Sequence, residues 1–172
     1  MRNKLQLYVL SLVLGAGMCF AGPPTTDSQA VDTIQSRLEK SKVNQHGEVH
    51  VAVNGGVATL TGWVDNVGVK MDAEKAARKT QGVTQVENDL QVRALNMDAA
   101  QIIRQAQHEM FMYYAYTMFD YVDFDFHDGT LTVSGAVTQP FKKVDMGRIL
   151  QRVNGVAEVK NNIDVLPPPL IV

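Results

Sequence analysis

Gly56-Val57-Ala58-Thr59-Leu60-Thr61-Gly62-Trp63-Val64 is a stretch that the chain contains twice. Displaced by 73 positions, from 56 to 129, it reads Gly129-Thr130-Leu131-Thr132-Val133-Ser134-Gly135-Ala136-Val137. The same offset, without a gap, relates Gly82-Val83 to Gly155-Val156, Val86 to Val159, Asn88 to Asn161 and Val92 to Val165. A constant offset over such a span marks one structural unit present in two copies.

Outward from that stretch, each copy resolves into the same series of elements. Asn54-Gly55-Gly56 is a hairpin signal, because its turn positions need residues that tolerate positive φ. Before it, Val49, Val51 and Val53 alternate with polar or small residues, the period of a half-buried strand. The return strand places Ala58, Leu60, Gly62 and Val64 on one face. Upstream, Ser28 is the expected N-cap of a helix carrying Val31, Ile34 and Leu38 at helical spacing. Downstream, Asp65-Asn66 cap a second helix whose inner stripe is Ala73, Ala76, Ala77 and Thr80. Gly82 stops that helix, and Val83 to Val92 form a third strand with Val86, Leu90 and Val92 inward.

The second copy repeats each step with larger side chains. Ile103, Ala106 and Met110 mark its first helix, Val122, Phe124 and Phe126 its first strand, and His127-Asp128-Gly129 its turn. Pro140 opens the next helix, where a first turn accepts proline. Met146, Ile149, Leu150 and Val153 form its inner stripe. Gly155 ends it, and Val159, Ile163 and Val165 lie in the last strand. The predicted fold class is α+β: two tandem α-β-β-α-β modules at 28–95 and 98–166, each packing its helices on one face of a small three-stranded sheet.

The amino end reads as a secretory signal over 1–21, with Arg2 and Lys4 as the basic region, an apolar run from Leu5 to Ala16, and Cys19-Phe20-Ala21 as the cleavage site. That run is shorter than the roughly 20 residues a spanning helix needs. Cleavage after Ala21 is preferred over acylation at Cys19, because Met18 stands where a lipobox requires a small residue. A periplasmic location with no transmembrane segment in the mature chain follows as the expectation. Residues 22–27 are a flexible leader, and 167–172 a proline-rich apolar tail. Removing Arg2 and Lys4 from the 16 basic residues leaves 14 against 18 acidic, a net charge of −4. Nucleic-acid binding needs a basic footprint and is not expected.

The set Asn54-Gly55-Gly56-Val57, Leu60-Thr61-Gly62-Trp63-Val64, Gly82-Val83 and Val86-Glu87-Asn88 resembles the BON domain, and the second copy matches through Asp128-Gly129, Val133 to Val137, Gly155-Val156 and Val159-Lys160-Asn161. The resemblance covers nearly all of the expected mature chain. It implies envelope residence, a role in osmotic or envelope stress, and binding to phospholipid or to an envelope protein. It implies neither catalysis nor a cofactor.

Several residues are expected to be structural. Gly62 and Gly135 sit on the inward side of the return strand, where close backbone approach under the second helix excludes a Cβ. Gly56, Gly82, Gly129 and Gly155 serve turns and helix ends. Asn88 and Asn161 fall on the inward phase of apolar strands, so their amides are expected to bond neighbouring turn backbone. Asp123, Asp125 and His127 share an outward strand face near Asp120 and Asp128. Such oxygen ligands suit a hard cation, yet alternating polar residues are also what a solvated strand face looks like, and no metal is expected.

Two surfaces are candidates for binding. On the second helix of each copy, Phe141, Val144, Arg148 and Arg152 cluster on one side, as do Met71, Lys75, Arg78 and Lys79. Apolar and basic groups together suit an anionic phospholipid surface. The run from Met110 to Phe119 holds too many large groups for one face to bury. Met112, Tyr113, Tyr116 and Phe119, together with an exposed Trp63, could dock an envelope protein, or the run could fill the groove between the copies.

Overall fold

The computed structural model describes residues 26–93 and 97–167. The expected signal over 1–21, Cys19, most of the leader and the tail beyond Pro167 lie outside the described residues. The fold class is α+β, with the same element series built twice.

In the first module, α1 spans Asp27–Lys40, β1 Gly47–Asn54, β2 Val57–Val64, α2 Val67–Arg78, β3 Gln85–Asn88 and β4 Gln91–Val92. The N-cap of α1 is Thr26 rather than Ser28: Thr26 accepts from Gln29 N–H, and the Gln29 side chain bonds back to Thr26 N–H. This reciprocal box satisfies two donors at the open helix end. β2 is the central strand, antiparallel to β1 and parallel to β3 and β4. Ile34, Leu38, Leu60, Val64, Ala73, Ala77 and Leu90 form its core.

The expected single third strand is broken here. Asn88 Oδ1 accepts the N–H of Leu90 and Asp89 N–H turns to the Leu60 carbonyl, so the strand interrupts while Leu90 drops into the core.

In the second module, α3 spans Ala99–Met112, β5 Tyr121–His127, β6 Thr130–Val137, α4 Pro140–Leu150 and β7 Glu158–Val165. β7 runs unbroken beside β6 from Thr130↔Glu158 to Val137↔Val165. Met146 and Leu150 replace Ala73 and Ala77 at the matching positions and are fully buried. Ile102, not Ile103, is the buried residue of α3, and Val165 is exposed at the end of β7.

Gly62 and Gly135 do need to lack a side chain, but not because of the helix. Their φ angles are 117° and 142°. A Cβ at Gly62 would lie against the carbonyl oxygen of Glu48 on β1, and one at Gly135 against that of Tyr121 on β5. The neighbouring strand makes the close approach. The two asparagines bond the neighbouring backbone as expected, each Oδ1 accepting the N–H two residues on, and they also tie strand to helix. Asn88 Nδ2 donates to the Lys70 carbonyl at 3.1 Å, and Asn161 Nδ2 to the Lys143 carbonyl at 2.8 Å.

The modules meet head to tail, the loop after α4 against the start of α2. Val67 N–H donates to the Val156 carbonyl at 2.9 Å and Gly68 N–H to the Gln151 carbonyl at 2.8 Å. Gly155 N–H donates to the Asp65 carbonyl at 2.7 Å. Asn66 caps α2 through Val69 N–H and donates its amide to Asn154 Oδ1 at 3.1 Å. Arg152 pairs with Asp72 at 2.7 Å. The first amides of a helix have no partner within it, and here carbonyls of the second module fill that role. Gly68 permits the contact: a Cβ there would stand 2.7 Å from Arg152 Cδ and 2.9 Å from the Gln151 oxygen.

Candidate surface-binding site

The run from Met110 to Phe119 is divided between core and solvent by two polar anchors. The buried stripe of α3, Ile102, Ala106 and Met110, continues onto Tyr113, which leaves the helix in extended geometry and turns its ring into the core. The Tyr113 hydroxyl donates to Asp145 Oδ2 on α4 at 3.0 Å. Burial and then the Asp145 carboxylate push its pKa up to about 12.

At the other end of the loop stands Asp120, with no side-chain exposure. It accepts from Thr117 N–H and hydroxyl at 2.8 Å each, from Thr138 N–H and hydroxyl at 3.0 and 3.2 Å, and from Lys142 Nζ at 2.7 Å. Burial alone would raise the Asp120 carboxyl. The Lys142 ammonium and the threonine donors outweigh it and hold the group well below the usual carboxylate range. A buried pair of this kind is sustained only when its remaining hydrogen-bonding capacity is met, as it is here.

Between these anchors the loop presents large apolar groups to water. Tyr114 and Met118 are 87% and 89% exposed, and Phe111, Met112 and Phe119 are exposed beside them. Ala115 and Tyr116 are half-buried against the second core. Phe119 also edges an open groove with Thr138, Gln139, Pro140, Val165, Leu166 and Pro167. Phe141 follows Pro140 on α4, and Phe141 and Val144 are exposed. Apart from Met71, every exposed large apolar side chain among the described residues belongs to the second module. Transferring about 100 Å² of such surface out of water is worth roughly 2.5 kcal/mol.

The expected site residues separate accordingly. Phe141, Val144 and Arg148 share an exposed side of α4, with Arg148 3.7 Å from Asp145. Arg152 does not join them, because the Asp72 carboxylate holds it at the joint. Met71, Lys75, Arg78 and Lys79 lie exposed on α2 and its end, with Arg78 paired to Glu74 at 2.6 Å. Tyr113 is buried and offers no contact surface. Trp63 is half-buried, with the Arg93 guanidinium 5.9 Å from its ring centre, so it is not the exposed ring that was expected.

Tyr121 and Lys142 are the residues that sequence reasoning missed; Phe111, Tyr114 and Met118 lie inside the run it singled out without being named as contacts, and Asp120 was grouped with the outward acidic face. The helical stripe through Met110 to Tyr113 was the signal that could have sorted the run. Asp123, Asp125 and His127 do face outward, the last two 3.2 Å apart, whereas Asp120 points inward. No cluster of three or more metal-ligating side chains occurs among the described residues. No helix among them is long and apolar enough to cross a membrane.

The family model for the BON domain matches residues 26–94 and 120–167. Its members are non-catalytic binding domains associated with phospholipid and the cell envelope. No curated protein matches the chain. Among solved structures, the chain is similar to the C-terminal domain of CdsD, a structural protein of the type III secretion system of Chlamydia trachomatis. That match has 14% identity and a TM-score of 0.34, covering 80% of this chain and 97% of that one. A second CdsD structure matches at 14% identity and a TM-score of 0.35, covering 80% and 92%.

Proposed function

Because the chain belongs to the BON domain family, we propose that it is an exported, non-catalytic protein that binds anionic phospholipid peripherally in the bacterial envelope, with the second module as the lipid contact. The observation that carries this reading is the anchored loop. Hydrogen bonds from Tyr113 and to Asp120 fix the two ends of a loop that holds Tyr114, Met118 and Phe119 in solvent, beside the exposed Phe111 and Met112 at the end of α3. An exposed apolar patch of this kind is costly in water and is repaid at an apolar boundary. Tyrosine and methionine suit such a boundary, one with a polar tip and the other adaptable. Phe141 and Val144 extend the apolar surface on α4, and Arg148 supplies a cation for phosphate.

The acidic net charge of the expected mature chain opposes long-range attraction to anionic lipid, so insertion rather than charge supplies most of the affinity. Flotation with phosphatidylglycerol vesicles tests this. The protein should float, lose only part of its binding at high salt, and lose most of it on Met118→Ser with Phe119→Ser. Wild-type binding by that double variant would contradict the reading. A protein partner is the second reading, favoured by the concave groove at Phe119, Pro140, Val165 and Leu166. It predicts no flotation at any salt concentration.

A further inference from the structure

The joint between the modules uses one end of each. The loop Gln151–Val156 of the second module acts as a plug, and the start of α2, Asp65 to Asp72, as its socket. By the repeat, the first module owns a plug at Arg78–Val83, and the second a socket at Thr138 to Asp145. The joint leaves both unused.

The free plug has the geometry of the engaged one. Val83 N–H bonds the Thr80 carbonyl as Val156 N–H bonds that of Val153, both at 3.2 Å. Gly82 and Gly155 have φ of 87° and 85°. Lys79 stands where Arg152 pairs with Asp72, and Gln81 where Asn154 meets Asn66. The free socket has been altered at the points of contact. Pro140 replaces Val67 and has no N–H to donate. Phe141 replaces Gly68, where even a Cβ would collide. Gln139 makes no side-chain cap, unlike Asn66.

We propose that Arg78–Val83 is a docking plug for another module of this class whose helix opens Asn-x-Gly, and that Pro140 and Phe141 are a stop that closes the chain to copies of itself. A head-to-tail contact that is not stopped propagates into rings or filaments. A second copy offers the plug no socket, since its first is filled by its own second module and its second is closed.

The full chain carrying Pro140→Val and Phe141→Gly recreates the open socket. Its mass by light scattering should rise with concentration beyond a dimer, while wild type stays at one copy. Adding Lys79→Glu sets a carboxylate against Asp145 and should return the opened chain to one copy. A folded opened chain that stays monomeric overturns the proposal, as does wild-type association that Lys79→Glu removes. The mirror variant, Val67→Pro with Gly68→Phe, places the stop on the first module and keeps the proposal testable if the opened chain does not fold. It should free the two modules to tumble separately, read by NMR relaxation, and modules that still tumble as one body would overturn the stop.

Discussion

At Asp120, a carboxylate without access to solvent is held by two threonines and a lysine drawn from the loop, the end of β6 and the start of α4. Its proton is bound less tightly in the folded chain than in an unfolded one, where an Asp titrates near pH 4. The stability it confers is therefore complete at neutral pH and is lost as pH falls below about 4. Denaturant titration should show the second module weakening from about pH 5 downward and still weakening below about pH 3. Asp120→Asn should flatten that dependence at a lower plateau, since stranding one member of a buried pair costs about 3–5 kcal/mol. Tyr113 behaves in the opposite sense. Its pKa, raised to about 12, makes its contribution complete below pH 10 or so and lost above that. At Gly135, with φ of 142°, Ala should cost at least about 1–3 kcal/mol in denaturant unfolding, because strain there adds to overlap with the Tyr121 carbonyl. The repeat made the need for glycine legible. It misassigned the neighbour, because alternation along a strand reports the face of a residue and not which backbone comes close to it.

The loop from Tyr113 to Asp120 is the element on which the proposed lipid binding depends. Met118 and Phe119 make their contacts with solvent, so Met118→Ser with Phe119→Ser should leave thermal unfolding of the second module nearly unchanged while removing vesicle binding. Arg148→Glu should weaken that binding only modestly, since one basic group near an anionic surface contributes about 1 kcal/mol. Both are read by co-sedimentation with vesicles at two salt concentrations. The density of large groups between Met110 and Phe119 was legible as something no single face could bury. Which of them turn inward was not, because Tyr113 follows a stripe set by α3 and Asp120 follows a lysine 22 residues away. Lys142 itself lies on the inner side of α4, where periodicity alone predicts an apolar residue, and only its partner explains it.

Across the whole molecule, two separate cores are joined by a polar contact made largely of backbone. Each module should therefore keep its own fold when the other is damaged, seen as two unfolding transitions in a Gly135→Val variant. Asp72 and Arg152 are half-exposed, and a double-mutant cycle on them should give a coupling of about 0.2–1 kcal/mol. The tandem architecture was legible because the offset is constant. The joint was not, because it depends on the few positions where the copies differ, Val67 against Pro140 and Gly68 against Phe141. Those same differences leave the second module with an apolar end where the first has a polar one. The most direct test of lipid contact places a reporter there. Met118→Trp, in a chain where Trp63 is replaced by Phe, should shift its emission to the blue with phosphatidylglycerol vesicles and be quenched by brominated acyl chains. Protein that floats with those vesicles while Trp at 118 keeps its aqueous emission would contradict the account.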